Sequence, residues 1–97
     1  MKRDEVIAKL SNQMGLIQKK YSVKTLNIFG SVARDQAGEK SDVDLLVEFK
    51  QRATFDQYMD LKFHLEELLQ TKVDLVTKKA IKPRMRAAIE QESVRVA

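Results

Sequence analysis

The sequence predicts a small α/β domain of the α+β kind: a three-stranded sheet with helices packed mainly on one face. Three observations predict it. Helical and strand patterns alternate along the chain with no repeat, low-complexity segment or linker. The strand segments alternate apolar and polar side chains, so each has one face to bury and one to leave open. The 97 residues make one domain, residues 1–97, of a size that buries roughly 60–70% of its unfolded surface.

Each element has its own signal. From about Arg3 to Lys20, Val6, Ile7, Leu10, Met14 and Ile17 recur at helical spacing, with Gly15 a weak point. Three segments read as strands, "KTLNIFG", "SDVDLLVEF" and "KVDLVT", each rich in β-branched or large apolar residues. Residues 32–36, "VARDQ", can start a short helix after the first strand. In "TFDQYMDLKFHLEELLQ", Thr54 and Gln57 form a capping-box pattern. Phe55, Tyr58, Met59, Leu65, Leu68 and Leu69 supply the buried side of that helix. Pro83 fits the first turn of a last helix running to about Gln91, with Met85, Ala88 and Ile89 facing inward.

Composition narrows the function. Hydrophobic residues make up 43% and charged residues 33%, which excludes a disordered or fibrous chain. There are no cysteines, so a disulfide framework and a thiolate metal site are excluded. The start, "MKRDEVIAKL", is charged where a signal peptide needs an apolar run, and no segment approaches the ~20 apolar residues of a membrane span. An intracellular, cytoplasmic protein is expected. The net charge is +4, and all of it falls in Thr77 to Ala97, where Lys78, Lys79, Lys82, Arg84, Arg86 and Arg95 face Glu90 and Glu92. Such a basic end attracts phosphates, RNA or an acidic partner, or is simply a solvated helix face.

The second strand poses the functional question. Val43, Leu45, Val47 and Phe49 alternate with Asp42, Asp44, Leu46 and Glu48, so two aspartates point one way, roughly 7 Å apart. Aspartate is a poor strand former. In "KVDLVT", Val73 and Leu75 face one way and Asp74 the other, so three carboxylates can converge on the open face. One reading makes them the polar half of amphipathic strands. The other is a metal site: neighbouring carboxylates repel unless a cation neutralises them, and an all-oxygen set suits Mg²⁺ or Mn²⁺ rather than zinc. The turn before them adds a second component. "NIFGSVAR" runs from a strand through Gly30 into Ser31 and towards a helix start, which offers free backbone N–H groups and, through glycine, close approach of a phosphate. A phosphate cradle beside a metal-binding carboxylate pair is what phosphoryl or nucleotidyl transfer requires.

The order Gly30-Ser31, ten residues from Val32 to Ser41, Asp42-Val43-Asp44, then a lone Asp74 in a later strand resembles the signature of the DNA polymerase β-like nucleotidyltransferase superfamily. More narrowly, "FGSVARDQAGEKSDVDLLVEF" with "VDLVTKKAIKPRMRAAIEQESV" is similar to the minimal nucleotidyltransferases, the MNT proteins of bacteria and archaea. The resemblance spans nearly all of the chain from Lys24 onward. It implies the nucleotidyltransferase fold with a small mixed sheet, and an Mg²⁺-dependent enzyme in which a hydroxyl attacks the α-phosphate of ATP and pyrophosphate leaves. It further implies that Asp42 and Asp44 hold two Mg²⁺ ions, that Asp74 completes the site of the ion acting on the attacking hydroxyl, and that Gly30 and Ser31 hold the β and γ phosphates. Arg34, one turn after Ser31, either reaches the triphosphate or pairs with Glu39 or solvent. Relatives commonly carry glycine after that arginine, where this chain has Asp35; a negative charge there would weaken nucleotide binding if it pointed inward.

The resemblance also implies a partner. Such proteins pair with a HEPN-domain ribonuclease in a toxin–antitoxin system and silence it by transferring AMP to a tyrosine. The alternative is a module that keeps the fold and neutralises the toxin by contact alone. His64, Tyr21 and Tyr58 are expected to be structural, and Met14, Met59 and Met85 to fill the core.

Overall fold

A computed structural model describes residues 2–36 and 42–97. The chain runs α1 (Arg3–Ser11), α2 (Met14–Tyr21), β1 (Val23–Phe29), α3 (Gly30–Ala33), β2 (Val43–Phe49), α4 (Phe55–Leu69) and β3 (Val73–Thr77). A 3₁₀ turn (Lys78–Ala80), α5 (Pro83–Glu92) and β4 (Val94–Arg95) follow. The sheet order is β3-β2-β1-β4. β1 lies antiparallel to β2 and β4, while β2 and β3 are parallel. A parallel pair needs a crossover element, and α4 is that element.

The α/β class and mixed sheet are as the sequence predicts, with four strands rather than three. The additional strand is the two-residue β4, whose Val94 and Arg95 pair with Ile28 and Asn27 at the free edge of β1. The core lies on the face that α1, α2 and α4 cover. Val6, Leu10, Ile17, Leu61, Leu65 and Leu69 are fully buried there against Leu26 and Ile28 of β1 and Val43, Leu45 and Val47 of β2.

Three local departures have physical causes. The first helix is broken at Asn12 and Gln13 rather than continuous, because Ser11 and Asn12 compete with the helix for backbone hydrogen bonds. The break brings Gln13 Oε1 to 2.9 Å from His64 Nε2, while His64 Nδ1 lies 3.0 Å from the hydroxyl of buried Tyr21; His64 and Tyr21 are thus packing groups, as expected. In α4 the apolar face closes on Leu61, Leu65 and Leu69, leaving Phe55 75% exposed at the first turn. On α5 no residue is buried: Met85 is 50% exposed, Ala88 is exposed, and only Ile89 is half-buried. The inward face expected for α5 is therefore absent. That helix lies instead over the sheet's second face, where Asn27 Nδ2 donates to Ser93 Oγ at 2.9 Å and Lys78 pairs with Glu90 at 3.3 Å. Leu46, which shares the face of Asp44, is only 4% exposed, so the expected open face is partly roofed.

The Thr54 cap is present, with Thr54 Oγ1 accepting from the Gln57 backbone N–H at 3.1 Å. Gln57 does not complete a capping box; its side chain donates to the Tyr21 carbonyl at 2.9 Å and ties α4 to the end of α2. Thr54→Ala should cost about 1 kcal/mol and lower Tm by roughly 4–8 °C. Denaturant titration with an unchanged m-value would check it. Among the described residues no helix is long and apolar enough to cross a membrane.

Candidate functional site

The parallel register sets Asp44 of β2 directly beside Asp74 of β3. Adjacent strands lie about 4.8 Å apart, so the two carboxyl side chains leave the sheet side by side on the same face. Asp44 accordingly titrates above its ordinary value: burial raises it most, then the charges of Asp74 and Asp42, while Arg34 acts the other way. Asp44 is half-buried, whereas Asp42 and Asp74 are exposed. Asp42 stands just before β2, near enough for its charge to act on Asp44. Among the described residues, no three acidic or histidine side chains are gathered as closely as a bound ion would need. Asp44 and Asp74 stand side by side on neighbouring strands, and Asp42 precedes Asp44 by two residues.

The Gly-Ser turn meets this pair through the antiparallel register, in which Phe29 lies opposite Asp44. Gly30 follows with φ +71°, and a Cβ there would sit 2.1 Å from Asp44 Oδ2. Glycine is thus required twice, for the left-handed backbone and for the carboxylate pressed against it. The sequence suggests neither need; there Gly30 is read as letting a phosphate approach. The helix after the turn is shorter than "VARDQ" suggests: α3 is a single turn that ends in a Schellman motif, with Asp35 N–H donating to the Val32 carbonyl at 3.0 Å and Gln36 N–H to that of Ser31 at 2.9 Å. Asp35 occupies the left-handed position of that motif, at φ +59°. A glycine, which the family resemblance leads one to expect here, would adopt this backbone without strain. Aspartate tolerates the conformation better than most residues, and Asp35 is exposed and absent from the charges that move Asp44.

Arg34 is engaged. Its Nη1 lies 3.1 Å from both carboxylate oxygens of Glu92, and its Nε donates to Gln36 Oε1 at 3.3 Å. Glu39, the partner expected from the sequence, lies outside the described residues. Glu92 also accepts from the Gly30 N–H at 3.3 Å, so a residue that sequence reasoning passes over sits at the centre of the turn. Tyr58, from α4, donates its hydroxyl to the Leu75 carbonyl, and burial and the charge of Asp74 push its pKa up. Its role is structural, as expected. The basic C-terminal segment is spread out: Lys78 bridges Glu90 and Glu48, at 3.3 and 3.9 Å, while Lys79 and Arg86 join Arg52 around a cleft of about 470 Å³ beyond the far ends of β2 and β3.

A carboxyl pair on neighbouring strands, with one member pressed against a Gly-Ser turn, is an arrangement suited to nucleotidyl transfer. The nucleotidyltransferase domain model matches residues 10–96, so this chain belongs to the nucleotidyltransferase domain family and is a nucleotidyltransferase. It is 44% identical over 82 residues to a Methanocaldococcus jannaschii protein provisionally named a protein adenylyltransferase, covering 84% of each chain. It is 32% identical over 93 residues to the protein adenylyltransferase MntA of Thermococcus cleftensis, covering 96% of this chain and 94% of the relative. A solved structure provisionally described as a minimal nucleotidyltransferase superposes with a TM-score of 0.84 at 34% identity, over 97% of this chain and 95% of that one. The MNT antitoxin complex with the tri-AMPylated HEPN toxin of Shewanella oneidensis matches in fold, with a TM-score of 0.65 at 16% identity, over 90% of this chain and 68% of that one.

Proposed function

We propose that the chain acts as a single minimal domain in the cytoplasm, an Mg²⁺-dependent protein adenylyltransferase. It transfers AMP from ATP to a tyrosine hydroxyl of a HEPN-family ribonuclease toxin, as the antitoxin of that pair. The observation that carries this reading is the register that sets Asp44 beside Asp74, with the Asp44 carboxylate pressed against Gly30. The adenylyltransferase names of the relatives and the fold shared with MNT antitoxins support the acceptor and the partner.

The donor set fits a divalent cation. It is all oxygen, and burial together with the charges of Asp74 and Asp42 disfavours the ionised Asp44 carboxylate, a cost that a cation would relieve. Asp42, Asp44 and Asp74 would hold the ions. Bound Mg²⁺ neutralises the triphosphate and lowers the pKa of the attacking hydroxyl. The chain's own groups do the rest. Gly30 and Ser31 hold the β and γ phosphates through the turn, Arg34 supplies a guanidinium to the same oxygens, and the strand register fixes the carboxylates beside them. The acceptor oxygen bonds to the α-phosphorus, the bond to the bridging oxygen breaks, pyrophosphate leaves, and the hydroxyl proton passes to water.

The test is transfer of label from α-³²P ATP to a HEPN-domain partner in the presence of Mg²⁺. Label is expected on a partner tyrosine, and its loss is expected with Asp74→Asn. Formation of the complex with no label transferred would overturn the enzymatic role and leave neutralisation by contact.

A further inference from the structure

We propose that the Glu92 carboxylate holds the polyphosphate subsite shut in the free protein, standing where a terminal phosphate of the nucleotide goes. This deepens the nucleotide reading above and rests on it. The groups assigned to the triphosphate, the Gly30 N–H and the Arg34 guanidinium, already converge on one anion. Glu92 Oε1 accepts from Gly30 N at 3.3 Å, and both Glu92 oxygens lie 3.1 Å from Arg34 Nη1. A carboxylate gripped by a backbone N–H and a guanidinium presents the same charge-assisted acceptors as a phosphate oxygen. Glu92 and a β or γ phosphate therefore compete for one set of donors.

The placement of Glu92 is built into the sheet. Glu92 ends α5 two residues before β4, whose Val94 and Arg95 pair with Ile28 and Asn27 at the end of β1 that leads into Gly30. The neighbouring residue is pinned as well, because Ser93 Oγ accepts from Asn27 Nδ2 and donates to the Glu90 carbonyl, both at 2.9 Å. The backbone thus stays in place and only the glutamate side chain has to turn. The pair is partly open to solvent, with side-chain exposures of 46% for Arg34 and 36% for Glu92. Such ion pairs are weak. The contact is therefore readily displaced, yet it lowers apparent affinity in proportion to the fraction of molecules in which it is closed.

The experiment measures dissociation constants of the full chain for a non-hydrolysable ATP analogue and for AMP, each with Mg²⁺, in wild type, Glu92→Gln and Glu92→Ala. Both variants should bind the analogue about fivefold more tightly. Their affinity for AMP, which lacks the β and γ phosphates, should stay within about twofold of wild type. An equal gain for AMP would reduce the effect to removal of a nearby negative charge and overturn the proposal. A loss of analogue affinity would overturn it too, by making Glu92 a support that orients Arg34. Failure of wild type and variants alike to bind either nucleotide would sink the nucleotide reading, and the latch with it.

Discussion

Gly30→Ala is expected to reduce nucleotidyl transfer by about 10²-fold or more and to lower stability at the same time. The substitution meets two obstacles. An L-residue in left-handed backbone costs about 1–2 kcal/mol, and Gly30 stands at φ +71°. The new methyl group would also fall 2.1 Å from Asp44 Oδ2, well inside any real contact distance. Asp44 cannot simply swing clear, because it is half-buried and has Asp74 beside it on the neighbouring strand. Either the turn or the carboxylate must shift, and a misplacement of about 1 Å in a catalytic constellation costs on the order of 10²-fold. Gly15→Ala is the control. Nothing lies within 4 Å of a Cβ at Gly15 in α2, so that change should leave transfer untouched and raise stability by roughly 0.5–1 kcal/mol. Transfer at the wild-type rate by Gly30→Ala would show that the close approach of turn and carboxylate is dispensable.

This dependence was half legible in the sequence. The spacing of Gly30, Ser31, Asp42 and Asp44, with Asp74 in a later strand, was enough to expect a turn beside carboxylates, because strand alternation fixes which side chains share a face. Register was not legible, and register is what sets Asp44 against Asp74 and Phe29 against Asp44. β4 was invisible for a related reason. Two residues have no period, and Val94 and Arg95 become a strand only because β1 offers them an edge. Glu92 was missed with it, since its contacts with Gly30 and Arg34 span about sixty residues of chain. On α5 the periodicity misled: Met85, Ala88 and Ile89 share a stripe, but the helix lies over a polar sheet face rather than the core, and only Ile89 is half-buried. Asp35, a departure from relatives in sequence, is resolved by backbone conformation as the left-handed residue ending α3.

Asp44→Asn is expected to stabilise the free protein at neutral pH while cutting transfer by about 10³-fold, since charge stabilisation of several kcal/mol is withdrawn. The stability gain follows from the direction of the Asp44 shift. Its folded-state pKa lies above the ordinary value of 3.8 because burial, Asp74 and Asp42 all disfavour the charge. The folded state therefore holds this proton more tightly than the unfolded one. Below 3.8 both states are protonated and nothing is lost; as pH climbs from there through the raised folded value, the unfolded chain ionises first and stability falls. Asparagine removes that loss, because it carries no charge and its amide can donate to a neighbouring carboxylate. The variant should melt a few degrees above wild type at pH 7, a gain kept small by solvent screening, and the two should converge at pH values below 3.8. Mg²⁺ with nucleotide should reverse the order, because ligand that binds only the intact site stabilises wild type alone. Melting curves across pH, with and without Mg²⁺ and nucleotide, test both halves. A variant less stable than wild type at neutral pH would mean that the Asp44–Asp74 pair holds the sheet together rather than straining it for a cation.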